Sequence, residues 1–105
     1  MAKKVIYIAG AVGGPPQNLE DIKSAMAEIE QSGFTALSPT ILPLDMSEKQ
    51  FGQICTAMIQ SADGVLLLKN WPSDKGATFA KRYGEYVGKL CSTRLDLIAT
   101  VLMER

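Results

Sequence analysis

Two short stretches, Lys4–Ala9 (Lys-Val-Ile-Tyr-Ile-Ala) and Val65–Leu68 (Val-Leu-Leu-Leu), are apolar at nearly every position, and helical periods lie between and beyond them. An apolar run without polar alternation is the mark of a strand covered on both faces. Apolar runs alternating with helical periods predict an α/β fold: a three-layer Rossmann-like or flavodoxin-like domain with a mostly parallel sheet. The 105 residues allow one such domain, 1-105, and little room for a separate lid.

Gly10–Gln17 carries three glycines and two prolines and must end the first strand. Asn18 is placed to cap the first helix, whose stripe is Leu19, Ile22, Met26 and Ile29; Ser32-Gly33 ends it. Phe34–Leu37 reads as the second strand, and Ser38-Pro39 and Pro43 break the chain after it. Ser47–Gln50 is a capping box opening a second helix with Phe51, Ile54, Met58 and Ile59 on its apolar side. After the strand Val65–Leu68 comes a polar loop, Lys69–Lys75, holding the only tryptophan. A third helix is expected from Gly76 to Lys89, with Phe79, Tyr83, Tyr86, Val87 and Leu90 turned inward. In the tail, Leu95, Ile98 and Leu102 fit a helix, while Ile98–Met103 also fits a fourth strand. The strand is preferred here, because a three-stranded parallel sheet would be small.

Charge and composition remove several function classes. Eleven basic residues balance eleven acidic ones, which argues against a nucleic-acid binder or a protein held on membranes by charge. No histidine is present, so Ser-His-Asp and Cys-His catalysis and histidine-ligated metals are excluded. Cys55 and Cys91 are too few for a cysteine-only zinc site, and no metal or cofactor is expected. No apolar run reaches the length of a membrane span or a signal segment. The chain therefore reads as cytoplasmic, with reduced cysteines.

Ligands of such sheets bind at the carboxyl ends of the strands, where strand order reverses. If the first and third strands are neighbours, the loops after them line one crevice. The amides of Gly10, Gly13 and Gly14 suit an anion or a sugar hydroxyl. The loop lacks the spacing of a dinucleotide fingerprint or a P-loop, and alone it reads as a tight turn. A second cluster joins Asp63 to Asn70–Gly76. There Trp71 can stack on a nucleobase, Asp63 can exchange a proton with a base or hold a sugar hydroxyl, and Asp74 can bind a sugar. The simpler readings are that Asp63 begins a strand, Ser73 or Asp74 caps a helix and Trp71 covers the sheet end. One crevice lined by Tyr7, Gly10, Asn18, Asp63, Trp71, Asp74 and Gly76 is the expectation to test.

Together these segments carry a resemblance. Tyr7-Ile-Ala-Gly-Ala-Val-Gly-Gly-Pro-Pro-Gln-Asn18, Ser38-Pro39, Ala62-Asp-Gly-Val-Leu-Leu-Leu-Lys-Asn-Trp71 and Ser73-Asp-Lys-Gly-Ala77 resemble, in order and spacing over residues 4–90, the nucleoside 2-deoxyribosyltransferase superfamily. The likeness is nearest to a small family of bacteria and phages within it. The resemblance implies cleavage or transfer at an N-glycosidic bond of a nucleoside or nucleotide, in a homo-oligomer whose sites borrow residues from a neighbour. It implies catalytic roles for Asp63 on the base and Asp74 near the sugar, with ligand contacts from Tyr7, Gly10, Gly13, Gly14, Asn18, Trp71, Ser73 and Gly76. It also implies a glutamate on the third helix, four residues after Gly76, and that position is Ala80. A methyl group neither attacks an anomeric carbon nor stabilises its cation. Glu85 lies about 140° further round the helix, which makes it a poor substitute. Little or no base release is the expectation on these grounds. The alternative is a catalytically silent pocket holding a nucleotide or an ADP-ribose-type ligand for sensing or sequestration.

Overall fold

The structure is a computed structural model and describes residues 2–104. Strands β1 (Val5–Ala9), β2 (Thr35–Leu37), β3 (Gly64–Leu67) and β4 (Leu90–Ser92) form one sheet in the order β2-β1-β3-β4. All neighbours are parallel. Helices α1 (Pro16–Gln31), α2 (Glu48–Ser61), α3 (Lys75–Tyr86) and α4 (Leu95–Met103) connect and flank the strands. Among the described residues no helix is long and apolar enough to cross a membrane.

Strand alternation splits the core in two. Ile6, Ile8 and Leu66 face α1 and α4, meeting Ile22, Ile29, Ile98 and Leu102. Tyr7, Ala9, Val65 and Leu67 face α2 and α3, meeting Met58, Ile59, Ala77 and Ala80. The central strands thus bury both faces, which is why their sequences lack polar alternation.

Several local expectations need correction. The first helix begins at Pro16 with Pro15 at its N-cap and no side-chain cap, so Asn18 lies inside the first turn and does not cap it. A proline in the first turn loses no hydrogen bond and has its φ already set for a helix. Gly33, with φ of +91°, ends α1, as the glycine there predicted. The third helix stops at Tyr86, short of Lys89. Its buried face is Ala77, Ala80 and Gly84, while Phe79 and Tyr86 are 46% and 86% exposed. Small residues let α3 lie close on the sheet and leave Phe79 and Tyr86 outside, while Tyr83 packs at the edge of the core. The fourth strand is Leu90–Ser92, and the tail from Leu95 is helix, not strand. α4 runs back to the amino edge of the sheet, where the Lys4 ammonium donates to the Leu102 carbonyl at 2.7 Å.

Cys55 and Cys91 are free thiols. Burial, with Glu85 adding and Lys81 opposing, pushes the Cys91 thiol up to about 11 from an ordinary 9.0. Burial also raises Cys55, despite the hydrogen bond with Tyr7. Groups that hold their protons more tightly when folded stabilise fully below the unfolded pKa and lose that contribution as pH climbs through the folded one. Stability is therefore expected to fall above pH 9. Because Cys91 is half-exposed, its share at pH 10 is on the order of 1 kcal/mol. Urea melts of the wild type and Cys91→Ala at pH 7 and pH 10 check this. An equal alkaline loss in both proteins would refute the assignment to Cys91.

Candidate functional site

The strand order reverses between β1 and β3, and their following loops diverge onto a crevice at the carboxyl edge. Gly10 is needed there. A Cβ at residue 10 would sit 2.7 Å from the Leu68 Cδ1 atom, so only glycine lets the two loops approach this closely. Next to it opens a cleft of about 560 Å³ between α2 and α3. Tyr7, Ala9 and Gly10 lie at the sheet end of this cleft, and Gly13, Pro39, Asp74 and Gly76 line it too. Its outer walls are apolar: Leu44, Met46 and Phe51 on the α2 side and Phe79 on the α3 side. Phe79 stacks on Tyr83 with ring centres 5.7 Å apart, which braces the rim.

Tyr7 projects from the middle of β1 and is almost wholly buried. Burial raises its phenol far above the ordinary range, and the hydrogen-bonded Cys55 thiol and the nearby Asp74 carboxylate raise it further. The phenol therefore stays protonated and can donate to a ligand oxygen or nitrogen. Asp74 has two functions. It is the N-cap of α3, with one oxygen accepting the Ala77 N–H at 2.9 Å, and it also borders the cleft. Asp74 thus caps α3 and faces the cleft from the same position.

Of the expected crevice residues, Tyr7, Gly10, Gly13, Asp74 and Gly76 converge on the cleft. Asp63 does not. It precedes β3, at the amino edge, where its carboxylate accepts the Val5 N–H at 2.8 Å and its own N–H donates to the Val5 carbonyl at 2.7 Å. Parallel strands put every residue that precedes a strand at the edge away from the crevice, so Asp63 ties β1 to β3 and stands opposite the loop Gly10–Gly14. Asp63→Ala should cost about 1–2 kcal/mol by leaving an amide unpaired, and Asp63→Asn should cost less. Ligand binding should be unaffected in both. Urea melts combined with ligand titration check this, and lost binding at full stability would return Asp63 to the site.

Asn18 and Gly14 also lie outside the cleft. Asn18 donates to the Gly13 carbonyl at 2.8 Å and accepts from Asn70 at 3.2 Å, and Asn70 accepts the Ala11 N–H at 3.2 Å. These contacts clasp the loop after β1 to the loop after β3, and Asn70 is a clasp residue that the sequence reading did not assign. Trp71 packs on the core beneath Lys81, whose ammonium is 5.6 Å from the ring centre. That contact is a cation–π pair, and the indole is not a stacking platform in the cleft. Ser73 lines a separate shallow hollow, with Arg82 and Thr78. Ala80 is 1% exposed, packed under the cleft floor with Tyr7 and Ala77. Glu85 is exposed and paired with Lys81 at 3.0 Å, outside the cleft. One carboxylate went unnoticed: Glu48, the first residue of α2, lines the cleft from the wall opposite α3. The signal was available, because helices that follow parallel strands begin at the carboxyl edge. Among the described residues no group of three or more histidine, cysteine or acidic side chains is assembled for a metal.

The model of the family described as "Domain of unknown function (DUF4406)" matches residues 4–93. The chain belongs to that family. Two solved structures share its fold. The 2-desoxiribosyltransferase from Leishmania mexicana superposes with a TM-score of 0.67 and 24% identity over 84% of this chain and 61% of that one. The 2-deoxyribosyltransferase from the psychrotolerant bacterium Bacillus psychrosaccharolyticus gives a TM-score of 0.70 and 20% identity over 83% and 69%. The chain thus spans less than two thirds of the first enzyme's length. The four parallel strands of this chain, with helices on both faces, share the fold of these two enzymes. No curated protein matches the sequence.

Proposed function

We propose that the family member described here binds a nucleoside or nucleotide in the α2–α3 cleft and acts at its N-glycosidic bond, in the manner of a deoxyribosyltransferase or N-glycosidase. The observation that carries this reading is the meeting of a permanently protonated Tyr7 and the Asp74 carboxylate beside glycines 10, 13 and 76, in a cleft with apolar walls. Its volume of about 560 Å³ lies within the range of small-molecule sites, roughly 300–1,000 Å³. Flat apolar walls suit a nucleobase, and polar groups at the sheet end suit a sugar. The shared fold of two deoxyribosyltransferases supports the reading. Ala80 is the one observation that favours a silent ligand-holding protein.

We also read the chain as a homo-oligomer, since Leu44 and Phe79, on opposite walls of the cleft, are 74% and 46% exposed and a neighbour would cover both. A monomer by light scattering at tens of micromolar counts against this.

Thermal shift with millimolar nucleosides, nucleotides and ADP-ribose tests the pocket. A ligand at a hundred times its Kd adds about 2.7 kcal/mol and raises Tm by roughly ten degrees or more. Base release from each hit then separates turnover from silent binding. No shift with any of these compounds overturns the reading.

A further inference from the structure

The expectation of little base release considered only α3, but the cleft has a second wall. We propose that Glu48 is the catalytic carboxylate of this cleft, supplied by α2 in place of the one that α3 lacks at Ala80. The proposal rests on the nucleoside reading above.

Three observations carry it. First, Glu48 is held in place. Ser47 accepts the Gln50 N–H at 3.1 Å and donates its own N–H to the Gln50 side chain at 3.2 Å, so the capping box fixes where α2 starts and hence the backbone position from which Glu48 borders the cleft. Second, Glu48 is available. Among the described residues its carboxylate makes no hydrogen bond or ion pair, whereas Asp63 is taken by Val5, one oxygen of Asp74 by Ala77, and Glu85 by Lys81. Third, Glu48 and Asp74 border one cleft from facing helices, with Phe51 and Met46 beside Glu48. Two carboxylates on opposite walls, with space between them, is the arrangement in which one activates a water.

The step balances. A water in the cleft gives its oxygen to the anomeric carbon and one proton to Glu48. The carbon–nitrogen bond breaks, and its electron pair goes to the base, which leaves with a proton from bulk water. Glu48 then returns its proton to solvent, leaving free base and free sugar. Tyr7 and Asp74, at the other wall, bind and orient the nucleoside.

The test follows base release from 2′-deoxynucleosides by chromatography over hours, for wild type, Glu48→Gln and Glu85→Gln, with nucleoside thermal shifts on the same samples. Wild type and Glu85→Gln should release base at equal rates. Glu48→Gln should be slower by about a hundredfold or more, the usual contribution of a positioned acid–base group. Its melting temperature and its nucleoside-induced shift should match wild type within about two degrees, because the side chain is exposed and of the same size. Unchanged release in Glu48→Gln overturns the proposal, and so does wild type that binds nucleosides without cleaving them. Wild type that binds no nucleoside refutes the nucleoside reading itself, and the assignment of Glu48 falls with it.

Discussion

Gly84→Val should unfold much of the protein at room temperature in mild denaturant. Gly84 lies in the last turn of α3, on the buried face where that helix presses on the sheet. A Cβ there would stand 2.9 Å from the Cys91 sulfur and 3.3 Å from the Val65 Cγ2 atom, closer than packed atoms tolerate. Valine adds two further methyls in the same space. Overpacking of this kind costs about 1–3 kcal/mol and can cost more where, as here, the neighbours are strand residues unable to move aside. The stability of a small domain is roughly 5–15 kcal/mol in total. Gly84→Ala gains about 1 kcal/mol of helix propensity against a smaller clash, so its net loss should be well below that of valine. Urea midpoints of the three proteins check the order. A valine variant as stable as wild type would mean that α3 does not lie this close to β3 and β4.

Ala80→Glu should also destabilise the protein strongly, by an amount that depends on pH. The residue is 1% exposed beneath Tyr7, so the added carboxylate would be buried among Tyr7, Ala77 and the sheet. Tyr7, in the same packed cluster, is an available polar partner in the cleft floor. One hydrogen bond from Tyr7 does not offset the loss of hydration. A cost of about 3–5 kcal/mol at pH 7 is expected, comparable to leaving a buried charge without its partner. Burial raises the carboxyl pKa, so the penalty should shrink as the group protonates in acid and reach its maximum above neutrality. Melts of Ala80→Glu and Ala80→Gln at pH 5 and pH 8 test this. A constant difference between the two variants would show that the carboxylate reaches water.

The sequence was most legible where burial is continuous. β1 and β3 announce themselves because both faces are covered, and the glycine loop after β1 is unmistakable because Leu68 leaves no room for a Cβ at Gly10. The capping box of α2 and the glycine end of α1 were readable because each is a local hydrogen-bond pattern. The end of the chain was not. Leu90 fits the helical period of α3, and β4 is three half-buried residues at a sheet edge, with too little pattern to compete. The run Ile98–Met103 is so uniformly apolar that no period separates helix from strand. The aromatic residues of α3 misled because they are large, whereas the helix buries its small ones. Tyr7, Gly10, Gly13, Asp74 and Gly76 line the cleft because they lie close to the carboxyl ends of β1 and β3, a placement the sequence order makes readable. Asp63 was misplaced by ignoring strand direction, which also hid Glu48: residues before a parallel strand and residues opening the next helix lie at opposite edges.

The hydrogen bond from Lys4 to Leu102 has a practical meaning for anyone handling this protein. It draws the two extremities of the fold together on the side facing away from the cleft. A fluorophore or a surface tether attached beside Lys4 or Leu102 would leave from that side and keep the cleft open to small molecules.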